Sequence, residues 1–300
     1  MNKGEILNKI IELRHIRTLL SNFIEVDISE DNRIYTSFSI VETGRFSSHE
    51  DETGGGTHLQ NIPPEVRKIF ISDDGMKLVE ADKSQGEVRI VAWLAREERM
   101  KEVFKYGGDI HKKNASYIFG CNIDNVTTGQ RYLAKRMVHA SNYGMGINTM
   151  ATYCGISKRE AEIAQKKYFD AFPRIKVWQN EIIGEVGKMR SLTNPFGRKR
   201  IFFDRMSDNL YREAFAFIPQ STLVDDLNRG MIELFMRGEP RLQILHQGHD
   251  SLLWQTHDVE WSIELARDCL EQEFVCGGDV LKIPVEFKVG ENWGTMHEYK

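Results

Sequence analysis

Cysteine is scarce in this sequence and makes no pattern. Four cysteines occur in 300 residues. Cys121, Cys154, Cys269 and Cys276 include no C-x-x-C pair, which excludes a zinc knuckle or a disulfide framework as the organising device and leaves them as small buried apolar side chains. Long apolar runs are absent too. No stretch approaches the ~20 residues that span a bilayer, and the opening MNKGEILNKIIELRHIRTLL scatters charge through what would be the core of a secretory signal. No membrane partner is expected, and a cytoplasmic compartment is the default. Positive charge is not in excess either: Lys and Arg number 40 against 44 Asp and Glu, for a net charge of −4. Nucleic-acid binding would have to rest on local basic patches in an overall negative field. Internal repeats and long low-complexity segments are also missing. What is present, 41% hydrophobic and 28% charged residues, describes a globular chain large enough for one big domain or two to three subdomains.

Ile6, Leu7, Ile10, Leu13, Ile16, Leu19 and Leu20 recur at three- and four-residue spacing, which predicts a helix over 1–24. Residues 26–42 read as extended, with a turn signal at Asp31-Asn32, and 43–60, carrying Gly54-Gly55-Gly56, read as a loop. Two short strands are expected around Asp73-Asp74-Gly75, the second being MKLVEAD. From 87 to about 190 the chain reads as mostly helical. Ser157 followed by Glu160 is a capping-box start for a helix over 158–171, which Pro173 breaks. An Asn-Pro turn and the run Arg198-Lys199-Arg200 follow, then helical spacing over 207–236. LQILHQGHDSLLWQT reads as strand, tight turn, strand; a helix over 259–275 and a last strand, IPVEFKV, complete the chain. Strands early and late with a helical block between them make an α+β layout with a helical insertion.

Two groups of residues could carry chemistry. Asp82 closes an apolar strand and Asp250 sits in the turn between two others. Two such carboxylates on rigid strands could hold a pair of divalent ions, ~3.5–4 Å apart, that clamp the entering and leaving oxygens of a displacement at phosphorus. Taken singly each reads as a turn or cap residue, and the sequence does not place them together. The second group is Arg131, Lys135, His139 and Tyr143. Steps of four residues drift only ~40° around a helix, so two cations, an imidazole and an aromatic ring form one stripe. That stripe suits a triphosphate at one end and a base or sugar at the other. Taken alone, it is a solvated basic face with a core tyrosine.

In chain order these segments resemble the polymerase region of family A DNA polymerases, the bacterial DNA polymerase I type. Thr43-Gly44-Arg45 and Leu59-Gln60-Asn61-Ile62-Pro63 are similar to the family's TGR…LQNIP segment. Asp82-Lys83-Ser84-Gln85-Gly86-Glu87-Val88-Arg89 resembles D-Y-S-Q-I-E-L-R, and Gly108-Asp109-Ile110-His111 resembles G-x-D-I-H. Arg131, Lys135, Tyr143 and Gly144 fit its R-x-x-x-K-x-x-x-[FY]-G-x-x-Y-G helix; Phe196 to Arg200 resemble F-G-R-R-R; Arg212 and Gln220 match the R…Q-G-T helix and His249-Asp250 the H-D-E turn.

The resemblance implies an antiparallel palm sheet with a large helical fingers insertion and a mostly absent thumb: 1–26 a thumb remnant, 27–94 and 206–300 palm, 95–205 fingers. It implies template-directed addition of deoxynucleoside triphosphates to a primer 3′ end. Two Mg2+ ions would be held by Asp82, the backbone carbonyl of Lys83 and Asp250. Gln85, His111, Arg131 and Lys135 would contact the triphosphate, and Lys135 would protonate the leaving pyrophosphate. Glu87 would be the steric gate against ribonucleotides, closed by Tyr143, with His139 beside the incoming nucleotide. Arg45, Gln60, Asn61, Arg212, Gln220 and His249 would touch the primer–template duplex. Asp225 and Asp226 carry no metal role in this reading. Alone, Glu87 is a solvated helix-start acid, His111 a core or capping histidine, Arg198-Lys199-Arg200 a solvated run and Gln220 a surface amide.

The chain also departs from the family. His139 stands where the family has Phe or Tyr, which leads to an expected pH dependence of nucleotide binding because imidazole titrates near ~6.5. Ala140 replaces a glycine, Ser251 replaces the third acid after His-Asp, and Gly86 replaces a bulky apolar residue, which is expected to loosen the pocket beside the gate. The family's thumb and exonuclease or exonuclease-like domain would precede this region, so neither proofreading nor a 5′ nuclease is expected. Weak, salt-sensitive duplex binding, distributive synthesis and a separate thumb/exonuclease subunit as partner are expected instead, in a bacterial cell or a phage-infected host. The alternatives are a catalytically impaired, polymerase-like DNA-binding subunit of a split or truncated enzyme, and a different two-metal phosphoryl transferase such as a nuclease.

Overall fold

The computed structural model describes residues 3–50 and 56–299. Gly54 and Gly55 of the expected loop, and the first two residues of the expected first helix, lie outside these. The chain begins with α1 (Lys3–Leu19), which a π-helical turn (Leu20–Ile24) extends, then a hairpin of β1 (Ser37–Ile40) and β2 (Phe46–His49). Strand β3 (Lys77–Lys83) leads into a helical run: α2 (Gly86–Leu94), α3 (Glu98–Lys105), α4 (Ile110–Phe119), α5 (Thr128–Asn142), α6 (Ile147–Cys154), α7 (Lys158–Ala171) and α8 (Pro173–Met189). The short hairpin of β4 (Ser191–Thr193) and β5 (Lys199–Ile201) precedes the long α9 (Asp208–Gly238). Strands β6 (Leu242–Gln247) and β7 (Ser251–Thr256), helix α10 (Val259–Leu270), and strands β8 (Glu273–Cys276), β9 (Asp279–Lys282), β10 (Val285–Gly290) and β11 (His297–Glu298) follow.

The chain forms two compact units. One holds residues 1–82, 229–270 and 285–300. Its frame is a five-stranded sheet in the order β11-β10-β3-β7-β6. Pairs β3·β7 and β6·β7 are antiparallel, and the β3·β7 register sets Asp82 opposite Ser251, Glu80 opposite Leu253 and Val79 opposite Trp254. Because side chains alternate along a strand, Leu78, Glu80 and Asp82 share one face while Val79 and Ala81 occupy the other. The first face carries a small core of Phe23, Ile62, Val66, Leu78, Leu253 and Trp293. On the second face Trp254 meets Phe287 edge-on at 6.3 Å between centroids, and Arg267 of α10 lies over the Phe287 ring at 4.8 Å. Each fully buried apolar side chain of this size contributes about 1.5–3 kcal/mol, so the strand that carries Asp82 is anchored from both sides.

The other unit holds residues 83–228 and 271–284. Its core gathers Ile90 and Val91 of α2, Ile110 of α4, Val138 of α5, Tyr168 of α7, Trp178 of α8 and Phe217 of α9. The expected helix over 158–171 is α7, with both halves of the Ser157/Glu160 capping box formed. The last carbonyls of α5 do not face an empty interior, because Gln179 Nε2 donates to Ser141 O and Asn142 O at 2.9 Å each.

Three expectations fail locally. The helix expected to reach 275 stops at Leu270, and Glu273–Cys276 instead pairs with Asp279–Lys282. Gly277 and Gly278 make that turn with φ of 61° and 94°, a left-handed region that other residues resist. The polar segment 43–60 is not all loop, since Phe46–His49 pairs with Ser37–Ile40. Ile71 forms a single bridge to Asn292 and no strand of its own. The apolar repeat of α1 is helical as expected, but its side chains stay exposed, Leu7 at 59% and Leu13 at 65%.

Candidate functional site

In the sheet unit the antiparallel register does what the sequence could not show. Asp82, the penultimate residue of β3, lies directly opposite Ser251, the residue after Asp250. The turn from Gly248 to Ser251, closed by Gly248 N–H donating to Ser251 O at 2.8 Å, therefore carries Asp250 to the end of β3. Both carboxylates line a cavity of about 210 Å³, with Gln60, Glu80, His249, Ser251 and Lys288 among its walls. The Asp82 carboxyl is pushed up to about 7, first by burial and then by the charges of Asp250 and Glu80; Lys288 works the other way, and Glu286 adds a smaller push upward. A carboxyl held this high by burial and its neighbours' charge is relieved by a cation.

Around it, Gln60 is locked in place. Its Nε2 donates to Gln247 O at 3.1 Å, and its Oε1 accepts from Ser48 N at 3.0 Å. His249 sits exposed in the turn. Arg45 and Asn61 belong to this unit but do not line the cavity. His246, beneath the turn, is buried, and its pKa is pushed down to about 4, chiefly by burial and then by Arg67 and His249.

The helical unit builds the second group. Thr127 and Gln130 form a reciprocal capping box that starts α5, so Arg131, Lys135 and His139 fall on the stripe expected, with Tyr143 at the C-cap. Asp109 is the hub at one end. It caps α4 by accepting from His111 N at 2.9 Å and Lys112 N at 3.2 Å, and it accepts from Arg131 Nε at 2.5 Å. Burial opposes its ionisation, but the Arg131 hydrogen bond outweighs that with help from Lys112 N–H, holding the carboxyl below its usual value. Gln85, in a left-handed conformation with φ of 52°, accepts from Ile110 N at 3.2 Å. His111 is buried, and its pKa falls to about 4 because of that burial and the nearby Lys135, partly offset by Asp109. Gln85, His111, Arg131 and Lys135 are thus gathered around the start of α4.

At the other end of the stripe Glu87 Oε2 accepts from the Tyr143 hydroxyl and lies 3.0 Å from His139 Nε2. The His139 and Tyr143 rings meet edge-on at 4.6 Å. The space beside Glu87 is not loosened by Gly86 as expected: a β-carbon there would fall 2.4 Å from Leu223 Cδ1, so a leucine side chain fills it. Arg212 and Gln220 lie on α9 in this unit, exposed and half-buried respectively. Lys83 completes β3 with its side chain buried and its Nζ 2.5 Å from Asp226 Oδ2. Asp225 is engaged by Arg198 and Asn194, so Asp225 and Asp226 both pair within the protein.

Comparison with known proteins identifies the family. A family model, that of DNA polymerase family A, matches residues 1–295. The chain belongs to that family. It is 30% identical over 307 residues to the thermostable DNA polymerase I of Thermus filiformis, covering 95% of this chain and 35% of that protein. To DNA polymerase I of Pseudomonas aeruginosa it is 29% identical over 288 residues, covering 88% of this chain and 30% of the relative. The chain therefore spans about a third of the length of these curated relatives. Among solved structures it is similar to the POL domain of Pol1 from M. smegmatis in complex with DNA primer-template and dNTP, with a TM-score of 0.81 and 28% identity over 93% of this chain and 50% of that one. The mixed helix and antiparallel-sheet fold expected for a family A polymerase region is the fold observed. No helix among the described residues is long and apolar enough to cross a membrane.

The donor set suits a hard divalent cation, which prefers oxygen ligands and keeps part of its water. Among the described residues no group of three or more His, Cys, Asp or Glu closes into a ready metal cluster. Sequence reasoning gave no role to Asp109, Glu80, Arg67 or Lys288. Glu80 was accessible by alternation from Asp82, and Lys288 by alternation within IPVEFKV; Arg67 carried no signal.

Proposed function

We propose that this chain carries the nucleotide-adding centre of a DNA polymerase: template-directed addition of deoxynucleoside triphosphates to a primer 3′ end. The observation that carries the reading is the convergence of Asp82 and Asp250 on one cavity, with the Asp82 carboxyl raised to about 7. Residues 27–94 and 206–300 serve as palm, 95–205 as fingers and 1–26 as the last thumb helix. Asp82, the Lys83 carbonyl and Asp250 would hold two divalent ions, read as Mg2+. When bound, such ions activate the primer hydroxyl and neutralise charge on the triphosphate and leaving pyrophosphate.

The chain's own side chains do the rest. Arg131, Lys135, Gln85 and His111 grip the triphosphate, and Lys135 gives a proton to the departing pyrophosphate, a contribution typically worth ~10²–10⁴ in rate. Glu87, tied to Tyr143 and His139, occupies the room a ribose 2′-hydroxyl would need. Gln60 and His249 at the cavity, with Arg45, Asn61, Arg212 and Gln220, contact the duplex. Minor-groove contacts of this kind read pairing geometry because the acceptors there are nearly degenerate.

Extension of a labelled primer with Mg2+ and all four triphosphates tests the reading. Incorporation that disappears in Asp250→Ala supports it; no incorporation by the unaltered chain at any metal concentration defeats it. The serine at 251, in place of a third acid, favours one rival, an impaired DNA-binding subunit, which predicts duplex binding without extension in the same assay.

A further inference from the structure

We infer that Glu80 is the third acidic group of the Asp82/Asp250 centre, acting across a layer of water on a hydrated divalent cation. The inference rests on reading that cavity as a cation site. Serine occupies position 251, and Ser251 lies opposite Asp82 in the sheet register. Glu80 is two residues before Asp82 on the same strand, so both side chains leave the same face, and both line the cavity with Asp250 and Ser251.

The Glu80 carboxylate is held in place. Trp293 Nε1 donates to its Oε1 at 3.0 Å, and Trp293 is itself braced by the Arg67 guanidinium at 4.5 Å and by the His246 ring at 5.5 Å. Its Oε2 lies 3.8 Å from Lys288 Nζ, beyond a direct hydrogen bond. Lys288 thus tempers the charge without consuming that oxygen. Tied to Trp293 on the wall of that cavity, Glu80 works as an outer-shell group beside the Asp82/Asp250 pair. A cation that retains water offers protons to such a carboxylate. Glu80 is therefore a positioning residue, and it supplies from β3 a negative charge that position 251 lacks.

The test is Mn2+ binding to the full chain without nucleotide or DNA, followed by loss of the free-ion paramagnetic resonance signal. Glu80→Gln keeps an acceptor for Trp293 and is expected to weaken Mn2+ binding about tenfold, the lower end of outer-shell effects. Ser251→Glu in the same chain is expected to restore it. Melting in EDTA should be unchanged or higher for Glu80→Gln, which separates lost binding from lost folding. Unaltered Mn2+ affinity in Glu80→Gln, alongside its loss in Asp82→Asn, overturns the inference alone. Unaltered affinity in Asp82→Asn as well overturns the reading of the cavity, and the role of Glu80 with it.

Discussion

At the end of β3 a carboxyl is pushed up to about 7 by burial and neighbouring carboxylates; at the start of α4 an imidazole is pushed down to about 4 by burial and a neighbouring lysine. The first region crowds negative charge around an acid, and the second crowds positive charge around a base. In each the like charges outweigh the opposite one, Lys288 in the first and Asp109 in the second. Between them in sequence, Lys83 follows Asp82 directly, yet its ammonium is buried against Asp226 and asks for nothing further from solution. Burial alone thus does not mark a binding group. What separates Asp82 and His111 from Lys83 is that their surroundings repel the ionised form instead of pairing with it, which is how a protein keeps room for a ligand of the missing sign.

The largest test of this contrast is removal of its two poles. Asp82→Asn and Asp250→Asn should each lower single-nucleotide incorporation by at least ~10²-fold while leaving triphosphate binding, read by fluorescent-nucleotide titration, within a few-fold of the unaltered chain. Lys135→Ala should do the complementary thing. It should lower the incorporation rate by ~10²–10⁴, spare Mn2+ binding and raise the His111 pKa as followed by NMR. Equal loss of Mn2+ binding in both kinds of variant would erase the distinction between the regions.

The paired case sharpens the contrast in stability. Lys83→Met strands Asp226 and should cost about 3–5 kcal/mol in urea unfolding, whereas Lys83→Met with Asp226→Leu should recover most of it. Asp82→Asn should behave oppositely, stabilising the EDTA-treated chain at pH 8. The sign follows from linkage. An Asp raised to about 7 from 3.8 contributes stability that is fully present below 3.8 and lost as pH rises through 7. A His lowered to about 4 from 6.5 contributes stability present above 6.5 and lost as pH falls through 4. Melting temperatures between pH 4 and 8 should therefore show Mg2+ stabilising more at the alkaline end, Asp82→Asn flattening the alkaline limb and His111→Gln flattening the acid limb. The smallest expected effect lies away from both regions: Ser157→Ala, which removes the cap of α7, should cost ~1 kcal/mol and leave incorporation unchanged.

Much of the fold was legible where the signal is local. The Ser157/Glu160 box, the four-residue stripe of α5 and the hairpin around Gly248 to Asp250 follow from hydrogen bonds and periodicities that close within a few residues. The β8–β9 hairpin was missed because its strands continue the apolar pattern of α10, and only Gly277-Gly278 hinted at a turn. The space at Gly86 was misjudged because Leu223, which fills it, lies far along the chain. Asp109 was quoted as part of a motif, but its partner Arg131 is 22 residues away.

The sequence by itself determined which elements form and which side chains carry charge, because helix caps, turns and strand alternation depend on near neighbours. It could supply Asp82 and Asp250 as candidates, and Arg131 to Tyr143 as a stripe. Only the tertiary structure decided that Asp82 meets the turn carrying Asp250, that Glu80 and Lys288 share their cavity, and that Lys83 is spent on Asp226. Those outcomes depend on sheet register and on packing between distant segments, where burial and unlike surroundings give identical residue types opposite electrostatic fates.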